Sequence, residues 1–224
     1  MADEEINVQA VEFWKWFSQH QQVLVDEFND VNVDLTDDES GVAQQTFSRV
    51  EKVLDEMMVH LHKYDERLFP YCGFSPEGEI ELIVTAEGNV EAFESAHQLI
   101  DEAPDYAGWK IMALKPRAVG LADDFEIRTQ DGEVGPGSIQ YSIIKMEQET
   151  ILLLVIESDE DELEEEDAYM GVNLVEALLG EQDLATGFDA VDMVTTARYS
   201  EMTQQWPLSD LSNLTREFDR RRLH

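Results

Sequence analysis

The sequence is poor in the residues that would build a disulfide framework or a cationic surface. It has one cysteine, Cys72, so no disulfide can form within the chain and a reducing compartment is expected. Lysine and arginine number 15 against 50 aspartates and glutamates, which leaves a formal net charge of −35 at pH 7. Such a surface repels phosphate backbones and anionic lipid head groups, so we expect neither nucleic acid nor a membrane as a partner.

Long apolar runs are also missing. The longest continuous apolar stretch, Ile151–Ile156, is far too short to span a bilayer. The opening residues, MADEEINV, are acidic and unlike a secretory leader, so we expect a cytoplasmic protein. The chain does contain 43% hydrophobic residues, including 10 Phe and 4 Trp. That content is enough to bury a core and excludes wholesale disorder.

Hydrophobic periodicity predicts helices first and strands afterwards. One stripe recurs at helical spacing in residues 47–64, and alternation in residues 80–86 is typical of a strand. We therefore predict an α+β fold with one mainly antiparallel sheet of about five to six strands, covered by an N-terminal helical hairpin and further helices. Residues 1–224 are expected to form a single domain with no internal repeat. Its parts are the hairpin (1–65), the sheet with its helices (66–197), and a C-terminal helix with a basic tail (198–224).

The usual catalytic patterns are not found. His60 and His62 lie on a predicted helix and point apart, so they cannot hold one metal ion together. Cys72 has no histidine near it in sequence, and no Gly-x-Ser-x-Gly motif is present. Because carboxylates are so abundant, no pair of them can be singled out for acid–base chemistry. We predict no catalytic, cofactor-binding or metal-binding residue, and no cofactor.

Two features point instead to protein partners. The run from residue 157 to residue 167 holds nine carboxylates in eleven positions, and we select Glu157, Asp159, Asp161, Glu164 and Glu165 as a surface that could attract a partner. The alternative readings are a solvated helix start and a specific Ca²⁺ or Mg²⁺ site.

The second feature is aromatic. Within residues 12–17, the five positions 13–17 hold four large rings, more than one helical stripe can hide. One interpretation is that Trp14 or Trp16 is partly exposed at a partner or dimer contact. The other, which we prefer, is that both sides of the helix are covered.

Several stretches resemble a family of uncharacterised bacterial cytoplasmic proteins. The resemblance lies mainly in the first half of the chain, in residues 12–17, 61–68, 81–89 and 103–109, with a continuation at 115–117. It implies an α+β domain of unknown function, in a family where some members act through protein partners. It carries no site residues.

Three functional hypotheses follow. The first is a non-enzymatic interaction module, like an inhibitor or an immunity protein, whose acidic body attracts a basic protein, with a second copy of the chain as another possible partner. The second explains the acidity and the scarcity of lysine, 6 against 9 arginines, by adaptation to a salt-loaded cytoplasm. The third is an enzyme or small-ligand domain whose pocket would be lined by the turns Thr85–Asn89 and Gly108–Trp109.

Overall fold

A computed structural model describes residues 2–34, 42–75, 78–118, 127–129, 132–134, 139–157, 165–196 and 205–211. The chain divides into two compact units, Met1–Leu114 and Lys115–His224. This boundary after Leu114 is not among those predicted from the sequence.

The first unit begins with two long helices that pack against each other. Helix α1 spans Ala2–Asp34 and helix α2 spans Val42–Tyr64. Apolar residues at helical spacing supply the contact, because each helix turns one stripe toward the other. Five of these side chains are at most 1% exposed: Phe13, Phe17, Leu24, Met57 and Leu61.

A three-stranded sheet completes this unit. Strands β1 (Phe69–Phe74) and β2 (Ile80–Thr85) form an antiparallel hairpin. A 3₁₀ turn and helix α3 (Phe93–Asp101) then carry the chain to β3 (Trp109–Ala113), which joins β2 in parallel. Asn89 opens the 3₁₀ turn, and its side-chain oxygen accepts a hydrogen bond from the Glu91 N–H at 3.2 Å. The sheet order is β1-β2-β3.

The second unit has its own sheet and core. Its elements are β4 (Ile127–Thr129), β5 (Gly132–Val134), β6 (Ile139–Lys145), β7 (Thr150–Ile156), α4 (Glu165–Leu179), α5 (Glu181–Gly187), β8 (Ala190–Thr195) and β9 (Trp206–Pro207). Strands β4 and β5 pair as a separate hairpin, and the larger sheet has the order β8-β7-β6-β9. Side chains of β6, β7 and α4 pack into one core with Leu208 and Leu211.

The predicted α+β class is confirmed, but the single mainly antiparallel sheet is wrong. The structure has two mixed sheets of three and four strands, besides the small hairpin. In each, a helical crossover returns the chain to the direction of the strand before it, so β3 joins β2 and β8 joins β7 in parallel. Each crossover therefore completes a sheet within its own unit. The predicted C-terminal helix lies mostly outside the described residues, and Pro207 lies in strand β9.

The two units repeat one topology. Each has an antiparallel hairpin, a helical crossover and a third strand parallel to the second strand of the hairpin. The sequence shows no repeat, because this topology needs only apolar strands, turns and an amphipathic helix in order, and many sequences meet those needs.

Candidate functional site

Both tryptophans of the aromatic cluster are covered, as the preferred interpretation of the sequence expected, and neither is exposed as a partner contact would require. Trp14 is 3% exposed and Trp16 is 9% exposed. The Trp14 indole N–H donates to the Leu99 carbonyl oxygen at 2.8 Å, and its ring meets Phe17 edge to face at 5.6 Å. Residues from α3 and α2 thus cover the two indoles. A partner contact at these rings stays a prediction, without the exposure that motivated it.

Trp16 stacks with two histidine rings. His20 of α1 stacks on one indole face at 4.6 Å and His60 of α2 stacks at 4.7 Å, each with an interplanar angle of 17°. His20 Nδ1 lies 2.8 Å from the Trp16 carbonyl oxygen, which can only accept, so Nδ1 carries a hydrogen. Among the described residues no group of three or more His, Cys, Asp or Glu side chains is placed to bind a metal.

The same stack perturbs the titration of His60. Burial lowers the pKa of His60, and the positive charges of Lys63 and His20 lower it further, while Glu56 opposes them. The neutral imidazole is therefore the form that suits the contact between α1 and α2.

Cys72 lacks the surroundings of a reactive thiol. Burial in β1 raises the pKa of the Cys72 thiol to about 12. Because the thiolate is the nucleophile, we expect this cysteine to react only slowly at neutral pH in the folded protein.

The two turns expected to line one pocket lie at opposite ends of β2. Thr85 is the last residue of that strand, whereas Gly108 accepts a hydrogen bond from the N–H of Ile80, the first residue. The five residue steps from Ile80 to Thr85 place the two turns about 17 Å apart along the strand. Two buried nitrogens without a hydrogen-bond partner among the described residues, His62 Nε2 and Trp109 Nε1, are also far apart. His62 packs on Phe69, which pairs with Thr85, and Trp109 pairs with Ile80.

Polar groups at the Thr85 end of the strand hold neighbouring segments together. Thr85 Oγ1 accepts from the Glu87 N–H at 3.0 Å. Arg67 donates twice to the Asp65 carboxylate, at 2.6 and 2.9 Å, and these hydrogen bonds are the main reason why the pKa of Asp65 falls to about 2. The Arg67 guanidinium also reaches the Glu91 carbonyl oxygen at 3.4 Å. These hydrogen bonds connect the segment after α2 to the turn before α3 and so have a structural role. A phosphate would not bind here readily, because the exposed Glu87 and Glu91 side chains would repel it.

In the second unit a buried carboxylate holds a short segment, Lys115–Ala118, which we call the strap. Glu181 is 1% exposed, and its Oε2 accepts from the Lys115 N–H at 2.9 Å. The Glu181 N–H in turn donates to the Lys115 carbonyl oxygen at 2.9 Å. Arg117 Nε and the Ala118 N–H bond to carbonyl oxygens near the end of α4, at 3.0 and 2.7 Å. The Glu181 carboxylate is thus used to fix backbone.

The feature that remains is an acidic surface. Of the 24 acidic side chains whose burial the structure describes, 19 are exposed, compared with 5 of 8 basic side chains. The other three basic side chains are in ion pairs: Arg67 with Asp65, Lys110 with Glu81, and Lys115 with Glu176. Exposed charge on the described part of the protein is therefore overwhelmingly negative.

Only part of the predicted acidic run can be placed. Glu157 is exposed at the end of β7, and Glu165 begins α4. Asp159, Asp161 and Glu164, like the Glu165 side chain, lie outside the described residues.

Sequence reasoning did not select a second acidic stretch as a binding surface. Six exposed carboxylates on and beside α3 form what we call the α3 acidic segment: Glu87, Glu91, Glu94, Asp101, Glu102 and Asp105. The signal was present, since no lysine or arginine occurs between Arg67 and Lys110.

No family model, curated protein or solved structure matches this chain. The resemblance to an uncharacterised bacterial family therefore stays a prediction. Within the described residues, no helix combines the length and the apolar character that a membrane crossing needs.

Proposed function

We propose that this protein is a non-enzymatic, cytoplasmic interaction module, like an inhibitor or an immunity protein, that binds a basic protein partner. The observation that carries the proposal is the distribution of charge: 19 exposed carboxylates stand against 5 exposed basic side chains in the described residues. Asp65 and Glu181, two carboxylates whose hydrogen-bond partners are described above, hold a side chain and a backbone segment, and the raised pKa of Cys72, about 12, disfavours its thiolate.

The acidic surface would act chiefly on the encounter. A surface of dense negative charge attracts a positively charged partner and raises the association rate. Salt weakens this attraction, because exposed charges separated by more than a Debye length, about 8 to 10 Å near physiological ionic strength, are largely screened. The α3 acidic segment and the run that begins at Glu157 are the two regions that we assign to this role. A second copy of the chain would bring the same negative charge, so a basic partner is favoured over self-association.

Affinity capture from extracts of the native host tests the proposal. Three baits are compared: wild type, Glu94→Lys with Asp101→Lys in the α3 acidic segment, and Glu51→Lys with Asp55→Lys on α2 as the control. All four residues are exposed and the two double variants have equal net charge. We expect wild type and control to retain the same basic protein at about 0.05 M salt and to release it at about 0.3 M. The α3 variant should lose it.

Two results would count against this function. One is the absence of any basic protein from the wild-type capture at either salt concentration. The other is equal capture by all three baits, which would mean that total charge and not a defined surface governs retention.

Adaptation to a salt-loaded cytoplasm is the second candidate, with a small-ligand or enzymatic activity of unknown substrate. It is favoured by the spread of exposed carboxylates over both units, from Glu12 to Asp210. The melting temperature as a function of KCl separates the two. A rise that continues into the molar range supports adaptation, whereas a plateau once ordinary screening is complete supports a local binding surface.

A further inference from the structure

The two larger sheets end in four outer strands, β1, β3, β8 and β9, and these differ in how their outer edges are protected. An open edge presents backbone N–H and C=O groups to which another chain can add, so proteins usually block it. Strand β9 is only two residues long, and one of them is Pro207. Its edge offers almost nothing to pair with.

A proline protects the edge of β1. Ser75 N–H bonds to the Glu79 carbonyl oxygen at 2.8 Å, and in antiparallel pairing the groups facing the neighbour alternate along the strand. The odd-numbered residues of β1 therefore face β2, and Pro70 falls at an outward position, where it has no N–H to donate.

A carboxylate protects the edge of β8. Thr196 N–H bonds to the Ile156 carbonyl oxygen at 2.9 Å, so even-numbered residues of β8 face β7 and Met193 faces outward. The outward N–H of Met193 donates to Asp192 Oδ1 at 2.8 Å. The side chain of the strand itself thus occupies this donor.

Strand β3 holds the same place in the first unit as β8 does in the second. Its outward positions carry neither a proline nor a side chain shown to bond to an outward N–H. Ile80 N–H bonds to the Gly108 carbonyl oxygen at 3.1 Å and Leu114 N–H to the Val84 carbonyl oxygen at 2.9 Å. Even-numbered residues therefore face β2, and Ile111 and Ala113 direct their N–H and C=O groups outward. Both residues are partly exposed, the strand Trp109–Ala113 contains no proline, and no other described strand pairs with its outer side.

Charge indicates what would occupy this edge. Helix α3 packs on β3, and the α3 acidic segment surrounds that helix with exposed carboxylates. A second copy of the chain, docked edge to edge, would bring two such segments together and be repelled. An extended segment rich in lysine or arginine would be attracted to the α3 acidic segment, and its backbone could bond to β3. Lys110, the basic side chain of β3, is paired with Glu81 at 2.8 Å, which offsets its charge.

We infer that an extended basic segment of a protein partner adds to the outer edge of β3 as a fourth strand and bonds to Ile111 and Ala113. This inference rests on the proposed function and names the docking edge for it. Strand addition supplies affinity through backbone hydrogen bonds, and the acidic surroundings select the sign of the segment's charge.

Amide hydrogen exchange, with synthetic peptides as probes, tests the inference on the wild-type protein. The probe alternates lysine and valine over about eight residues, an ordinary strand length, and the control peptide alternates glutamate and valine. We expect the lysine–valine peptide to slow exchange at the Ile111 and Ala113 amides, with no change at Lys110 and Met112, which already bond to β2. The glutamate–valine peptide should protect none of them.

A variant pair at one position provides an independent measurement. Ile111→Pro removes the outward N–H without removing a bond to β2, and Ile111→Val keeps that N–H as the matched control. We expect the proline variant to bind the lysine–valine peptide about tenfold more weakly or worse, and the valine variant to bind it as wild type does. Should the proline variant fail to fold, the exchange measurement on wild type decides alone.

Several outcomes would overturn the inference. The first is that the lysine–valine peptide does not bind. The second is that it binds, and that the Glu94→Lys and Asp101→Lys changes weaken its binding, yet the Ile111 and Ala113 amides stay unprotected. In the second case the proposed acidic interaction stands and only the docking edge is wrong. Protection without peptide that grows with protein concentration would assign the edge to a second copy. Protection that disappears when residues 212–224 are deleted would assign it to the chain's own basic tail.

Discussion

Replacing Gly180 by alanine should destabilise the second unit more than an ordinary glycine replacement does. Gly180 separates α4 from α5 and has φ 77° with ψ 153°, a backbone conformation that is essentially confined to glycine. An added Cβ would also lie 3.2 Å from Arg117 Cγ and 3.3 Å from two backbone atoms of the strap, Arg117 N and the Lys115 carbonyl oxygen.

The expected cost has two parts. Holding a residue with a side chain in this backbone region costs about 1 to 3 kcal/mol. The strap cannot move away freely, because Lys115 and Ala118 are bonded to Glu181 and Ala177 through their backbone groups. We therefore expect Gly180→Ala to lower the free energy of unfolding by about 3 kcal/mol, at the upper end of that range.

Gly108→Ala is the matched control. Gly108 has φ 81°, but an added Cβ there would meet no atom within 4 Å. It should cost only the backbone term, about 1 to 2 kcal/mol. The difference between the two variants in free energy of unfolding then measures the steric cost of the new methyl group against the strap.

Urea unfolding followed by fluorine NMR can assign the loss to one unit. The four tryptophans, labelled with 5-fluorotryptophan, report on different regions, and Trp206 is the one in the second unit. In Gly180→Ala the Trp206 signal should change at lower urea concentration. If Gly180→Ala and Gly108→Ala lose the same free energy, the strap yields without cost and the steric argument is refuted.

Three further predictions concern single titrating groups. Cys72 should react with a disulfide reagent at about pH 8 only as the protein unfolds, because its folded pKa is about 12; prompt labelling of the native protein would contradict this. The folded pKa of His60 lies below its ordinary value of 6.5, so the stability of the neutral stack is present above that pH and is lost as the pH falls below it. His60→Phe keeps a ring on Trp16 and should lack this pH dependence in urea unfolding; an unchanged slope would argue against it. Asp65→Asn should cost about 1 to 2 kcal/mol near neutral pH, allowing for the exposure of Arg67, because the folded pKa of Asp65 is about 2. The difference from wild type should vanish between about pH 4 and pH 2, and a gap that persists there would show that charge is not its cause.

Local elements were the most predictable part of this fold. The helical stripe in residues 47–64 corresponds to α2, and the alternation that begins at Ile80 corresponds to β2. The apolar run Ile151–Ile156 was expected to be a strand covered on both sides, and five of its six residues are buried in β7. These signals are local because the period of apolar residues follows directly from the geometry of a helix or strand.

The candidate site was less predictable than the fold. The sequence indicated an acidic surface, and the exposed carboxylates agree with a negative exterior, but the α3 acidic segment was not selected as a binding surface because its members are spread over residues 87–105. Coverage of Trp16 was the preferred interpretation, but the side chain that covers it could not be foreseen. The coverage depends on His60, which is 44 residues away in sequence and reaches the indole only when α2 packs on α1.

The sequence by itself determined the sign of the surface charge, the absence of an internal disulfide, and the type and approximate place of the main helices and strands. These properties follow from composition and from contacts between near neighbours. The tertiary structure alone decided that β3 and β8 run parallel to their neighbours, that two sheets form in place of one, and that Ile111 and Ala113 direct their backbone groups away from β2, where no other described strand pairs with them. Strand pairing is settled by hydrogen bonds and packing between distant residues, and a change of partner or direction leaves the local pattern of apolar residues unchanged.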